Sequence, residues 1–243
     1  MKCSLLALER VLIGSLEHIL PIGIALCFGI LFILVARYKM NSLQQKRALH
    51  IFGCLVSLTI IAYNLYIYSL GNYDISKDLP LFLCSFMALV VPFFTYSRNY
   101  LIYEILFFWV VAGTTQGIIT PDIAEGFPVF DYFRYWVVHL GLLIIMFYAT
   151  FVFRMRPTIK SVFRSIVALQ IYTLVMYTIN YFLGANYTYL NAKPEAASLL
   201  DYLGDWPYYI IVAQFIIIPY FLLIYLPFYI TNKNGINEDL LGE

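Results

Sequence analysis

The chain has 243 residues, 62% of them hydrophobic and only 12% charged, with a formal net charge of +1. Soluble domains carry about twice that share of charge, so a water-soluble fold of this composition would expose much of its apolar surface. The charge balance offers nothing to a nucleic-acid partner, and cysteines at positions 3, 27, 54 and 84 are too scattered for a metal knuckle or a disulfide framework.

The opening MKCSLLALER lacks a secretory cleavage pattern, and Glu9 and Arg10 interrupt its apolar run. Seven segments then reach or approach the roughly 20 residues needed to cross a bilayer core of about 30 Å. They run over 19–36, 49–70, 79–96, 100–119, 135–153, 166–183 and 208–230. The third is short, and only Ser97, Arg98 and Asn99 part it from the fourth, which predicts a tight helical hairpin. The expected fold is all-α: one polytopic membrane bundle over 1–243, with no internal repeat.

Charge placement gives the orientation. With seven crossings, ten of the 15 basic residues share one side: Arg37, Lys39, Lys46, Arg47, Arg98, Arg154, Arg156, Lys160, Arg164 and Lys233. Lys2, Arg10, Lys77, Arg134 and Lys193 fall on the other, with ten of the 14 acids, Glu9, Asp122 and Glu195 among them. The positive-inside rule then predicts an outward N-terminus and a cytoplasmic C-terminus. The outer connections, 120–134 and 184–206, mix aromatics with acids, Pro and Gly, as loops pinned at an interface do.

Polar side chains inside spans are costly and tend to face the bundle interior. Asn64, Cys84, Thr114, Thr115, Gln116, His139 and Asn180 all fall roughly 4–8 Å below the outer face, taking 1.5 Å per residue. If they share the interior they form one outward polar pocket. Each has a plain alternative: Cys84 as a small apolar filler, His139, Asn64, Gln116 and Asn180 as hydrogen-bond glue, and the threonines bonded to helix carbonyls. Glu104, a turn into the fourth span, can snorkel or pair with Arg98. The catalytic reading joins Cys84 to His139, since a thiol needs a base to become a good nucleophile. Such a pair at ester depth could attack a lipid acyl ester, with Asn64, Thr115, Gln116 or Asn180 binding substrate or its oxyanion. No metal or dissociable cofactor is needed. HExxH, GxSxG, Walker A and paired intramembrane aspartates are absent from the sequence. A transporter or ligand-binding protein using the same pocket without covalent chemistry, or a purely structural bundle, stays open.

Five stretches carry a family resemblance: DLPLFLCSF at 78–86, FFWVVAGTTQGIITPDI at 107–123, GFPVFDYFRYWVVHLG at 126–141, RPTIKSVFR at 156–164 and NYTYLNAKPEAASLLDYLGDWPYYI at 186–210. Through them, roughly residues 15–230 resemble the bacterial YwaF-type integral membrane proteins, which share a domain family with human transmembrane protein 164. More distantly they are similar to the androgen-induced membrane hydrolases. The resemblance implies a bacterial plasma membrane, a phospholipid as partner, and an acyltransferase working through a cysteine acyl intermediate. Carried onto this chain, it implies Cys84 as nucleophile and His139 as its partner. It also points to Asp122, Asn186, Tyr187 and Glu195 as residues of the pocket mouth. For Asp122 and Glu195, pairing with Lys193 or Arg134 is an equal structural explanation. Relatives often have His where this chain has Asn64 and Phe82, so a site tuned by those histidines would work differently here.

Overall fold

In a computed structural model the described residues are 10–196 and 198–240, with side chains as far as Thr231. Lys2, Cys3, Glu9 and the Lys233 side chain lie outside the described residues. Seven helices follow in order: α1 Leu16–Lys39, α2 Ser42–Ser69, α3 Leu83–Ser97, α4 Tyr100–Ile119, α5 Phe130–Phe151, α6 Ile159–Leu183 and α7 Tyr208–Leu240. No strand occurs among the described residues. Six helices are long and apolar enough to cross a membrane, with α7 counted as far as Thr231. The seventh, α3, has 15 residues, or about 22 Å at 1.5 Å per residue, short of a full bilayer core.

The expected spans map onto these helices with shifted ends. Helices α2 and α6 start seven residues before the apolar runs at 49 and 166, because their polar first turns are capped. Asn41 Oδ1 accepts from the Leu43 and Gln44 N–H groups while Gln44 returns a bond to the Asn41 N–H, and Thr158 and Ser161 do the same for α6. Span three moves the other way. Residues 79–82 are not helical: the Leu79 N–H donates to the Tyr187 hydroxyl, and the Leu81 carbonyl accepts from Tyr172. Cys84 therefore sits in the first turn of α3, not five residues inside a span.

The α3–α4 hairpin turns in two residues. Arg98 closes α3 in the left-handed conformation, and Asn99 caps α4 by accepting from the Leu101 and Ile102 N–H groups. Midway along α4, Val110–Thr114 forms a π turn, a device that re-aims side chains and recurs at functional sites.

Close packing of α2 against α3 and α5, and of α4 against α6, builds the core. A Cβ on Gly141 would lie 2.7 Å from Val56 Cγ2, so the glycine lets α5 approach α2. Outward faces stay apolar, with Leu16, Ile24 and Leu31 on α1 and Phe215, Leu223 and Ile230 on α7 all exposed, as lipid contact requires.

Asn180 fixes the loop beyond α6. It is 1% exposed, its amide donates to the Tyr187 carbonyl, and its Oδ1 accepts from the Tyr187 N–H, both at 2.9 Å. Asn180→Ala leaves the Tyr187 N–H unpaired, at about 1–3 kcal/mol where water cannot reach, while the Tyr187 carbonyl keeps the Thr188 hydroxyl. We expect it to cost about 2 kcal/mol in detergent unfolding, with the Tyr187 loop the first region to lose amide-exchange protection.

Candidate active site at the start of α3

A cavity of about 620 Å³ opens at the end of the bundle where α3 begins. Cys84, Gln116 and His139 line it together, with Asp122 at its rim, so four of the candidates meet in one place. Tyr135 and Arg134 from α5 and Gly113 and Gly117 from α4 also face it, and an apolar wall runs along α6 and α7 through Leu169, Ala213 and Ile217.

Cys84 is placed by the late start of α3. Phe82 caps the helix without a side-chain bond. Among the described residues no acceptor reaches the Leu83, Cys84 or Ser85 N–H, and all three residues line the cavity. Unpartnered N–H groups at a helix N-terminus favour negative charge. Cys84 itself makes no hydrogen bond among the described residues.

The geometry of His139 fixes its tautomer. Nδ1 lies 2.8 Å from the Tyr135 carbonyl; a carbonyl only accepts, so Nδ1 carries the proton and Nε2 keeps a free lone pair. Tyr135 stacks on the ring with centroids 4.0 Å apart, and its hydroxyl donates to the Gly117 carbonyl at 2.7 Å. A Cβ on Gly117 would fall 2.8 Å from His139 Nε2. Tyr135 lies one turn before His139 on the same helix face, a spacing already legible in the sequence and overlooked.

Gln116 faces the cavity with no side-chain hydrogen bond among the described residues. Of the other candidates, Thr115 does not line the cavity, and Asn64 is spent locally, donating to the Ile60 carbonyl and accepting from Tyr73. Asn180 holds the Tyr187 loop. Asn186 clasps Asn191 and Ala192, and Tyr187 bonds Ile75 and Leu79. Burial pushes the Tyr187 phenol up to about 12, which keeps it a donor near neutral pH.

Neither Lys193 nor Arg134 pairs with the two acids at the mouth. Arg10 takes both, at 2.5 Å to Asp122 and 3.1 Å to Glu195. Asp122 also accepts from the Tyr189 hydroxyl, whose pKa rises through burial and then through that carboxylate. Arg134 bonds Asp131 and lies over the Tyr63 ring, and Lys193 lies over the Tyr209 ring. Glu104 is likewise held by Ser161 and Arg164 rather than by Arg98.

Six spanning-length helices, four of which line a cavity that joins a cysteine, a histidine and an apolar wall, define a multi-pass membrane protein with a candidate site inside the bundle. Residues 13–225 match the TMEM164 family, and the chain belongs to that family. No curated protein and no solved structure matches it.

Proposed function

We propose that the protein is an intramembrane lipid acyltransferase or acyl hydrolase, with Cys84 as nucleophile and His139 as general base and acid. One observation carries the reading: Cys84 lies on an uncapped helix N-terminus in the same cavity as a histidine whose Nε2 is free to take a proton. Cys84 Sγ attacks the acyl carbonyl carbon of a phospholipid ester while His139 Nε2 accepts the thiol proton. The Leu83–Ser85 N–H groups and the Gln116 amide supply donors for the tetrahedral oxyanion. Its collapse breaks the ester C–O bond, and the proton on His139 passes to the departing lysolipid oxygen. A second hydroxyl, or water, then gives its proton to His139 and attacks the thioester, returning the thiol. The apolar wall between α6 and α7 suits the acyl chain.

The topology belongs to the same proposal. Seven crossings, including the short α3, put the N-terminus and the cavity outside and the C-terminus in the cytoplasm, in the plasma membrane of a bacterium if the YwaF likeness holds. The absence of a Cys84–His139 hydrogen bond favours the second reading, a transporter or ligand-binding protein without covalent chemistry. Under the enzyme reading, proton transfer runs through one water, or the pair tightens as the ester binds.

Intact mass spectrometry after incubation with mixed phospholipids separates the two. We expect a hydroxylamine-labile mass gain of one fatty acyl chain, mapped to Cys84 and missing in Cys84→Ser. A folded protein that gains no adduct and releases no lysolipid leaves the binding reading in its place.

A further inference from the structure

At the other end of the bundle a second hollow, of about 400 Å³, lies between the first turn of α2, the α3–α4 turn and the chain leaving α5. Lys46 and Arg98 stand on its rim with Ser42, and Val152, Phe153 and Met155 form its floor. Five ion pairs occur among the described residues, and neither cation takes part in one. Like charges gathered in one hollow repel unless an anion joins them.

The scaffold around these two cations is fixed. Gln45, also on the rim, is spent on structure: its side-chain amide donates to the Ala36 and Met40 carbonyls, and its main-chain carbonyl accepts from the Tyr148 hydroxyl. The Leu43 and Gln44 N–H groups are taken by Asn41, so the helix end itself offers no anion site there. Arg98 lies over the Phe153 ring at 5.9 Å, which aims the guanidinium across the floor. Its φ of +52° is a conformation that glycine or asparagine adopts at lower cost. The turn itself therefore gains nothing from arginine; the side chain does.

We propose that this hollow binds the phosphate group of an anionic membrane lipid. Lys46 and Arg98 hold the phosphate oxygens through charge-assisted hydrogen bonds, and the Ser42 hydroxyl adds a third donor. The glycerol and first acyl carbons rest on Val152, Phe153 and Met155. A free phosphate would use the cationic rim alone; an apolar floor beside it fits a phosphate tethered to chains. Basic pockets between helices at the positive face of a membrane protein bind lipid headgroups by this chemistry.

Native mass spectrometry on the full chain in micelles, titrated with dioleoyl phosphatidylglycerol, dioleoyl phosphatidylcholine or inorganic phosphate, tests it. One phosphatidylglycerol should stay bound, in preference to phosphatidylcholine. Lys46→Gln with Arg98→Gly should weaken it about 30-fold, from about fivefold per basic residue. Lys39→Gln with Lys160→Gln removes the same charge from exposed sites on the same face and should leave binding unchanged. Arg98→Gly suits the left-handed turn, so its thermal midpoint without added lipid should hold or rise, which separates lost binding from misfolding. Equal weakening by both pairs, or no preference for phosphatidylglycerol, would reduce the hollow to general electrostatic attraction. Displacement of the lipid by an equal concentration of inorganic phosphate would make it a free-phosphate site and overturn the tethered one.

Discussion

Gly117→Ala should slow acylation of Cys84 by about 100-fold while the protein remains folded. The new methyl would fall 2.8 Å from His139 Cδ2 and Nε2 and 3.0 Å from the Tyr135 hydroxyl. The imidazole cannot easily step aside, because its Nδ1 proton is bound to the Tyr135 carbonyl and its face is stacked on the Tyr135 ring. Tyr135 is in turn tied to the Gly117 carbonyl. The strain therefore falls on the ring atom that would carry the proton, and a misplacement of about 1 Å at a reacting group can cost about 100-fold in rate. Glycine to alanine in a helix also gains up to about 1 kcal/mol in propensity, which offsets part of the crowding. Single-turnover adduct formation, read with the thermal midpoint, checks this. A normal rate in a folded variant would remove His139 from the mechanism.

Arg164→Ala should destabilise the protein by about 2 kcal/mol: the arginine side chain is 53% exposed, so solvent screening holds the loss below the roughly 3 kcal/mol of a fully buried pair. Glu104 is 1% exposed on its side-chain surface, and its two oxygens accept from Ser161 Oγ at 2.5 Å and from Arg164 Nη1 at 2.7 Å. Removing the arginine leaves a buried carboxylate with one hydroxyl and the start of α6 to hold it. Replacing both residues with leucine removes the stranded charge as well, and should cost less than the single change. Unfolding of the wild type and the two variants in mixed detergent micelles measures the difference; a double variant weaker than Arg164→Ala would show that the pair itself contributes net stability.

Much of the bundle could be read from hydrophobic run length. Lipid imposes one apolar scale on every spanning helix, and the fourth span, 100–119, coincides with α4. Capped polar turns at α2 and α6 escaped that measure because Gln44, Gln45, Lys46 and Ser161 are not apolar. The start of α3 escaped it for the opposite reason: residues 79–83 are apolar apart from Pro80, yet the first four form bends rather than helix, tied to Tyr172 and Tyr187 from distant parts of the chain. Depth along the spans put Cys84, Gln116 and His139 at one level, and all three line the cavity, although Cys84 does so from the first turn of α3. It could not separate them from Asn64 and Asn180, because depth carries no information about which way a side chain points around its helix. The π turn in α4 changes that direction by itself. The partners of Asp122 and Glu195 were out of reach for a simpler reason: Arg10 is 112 residues from one and 185 from the other.

That last contact sets an order of assembly. Arg10 leaves the ribosome before α1, Asp122 only after α4, and Tyr189 and Glu195 later still, just ahead of α7. Arg10 cannot bridge the two loops until Glu195 has been made. Every earlier intermediate holds Asp122 without that bridge, so the tie between the two loops is one of the last events of biogenesis.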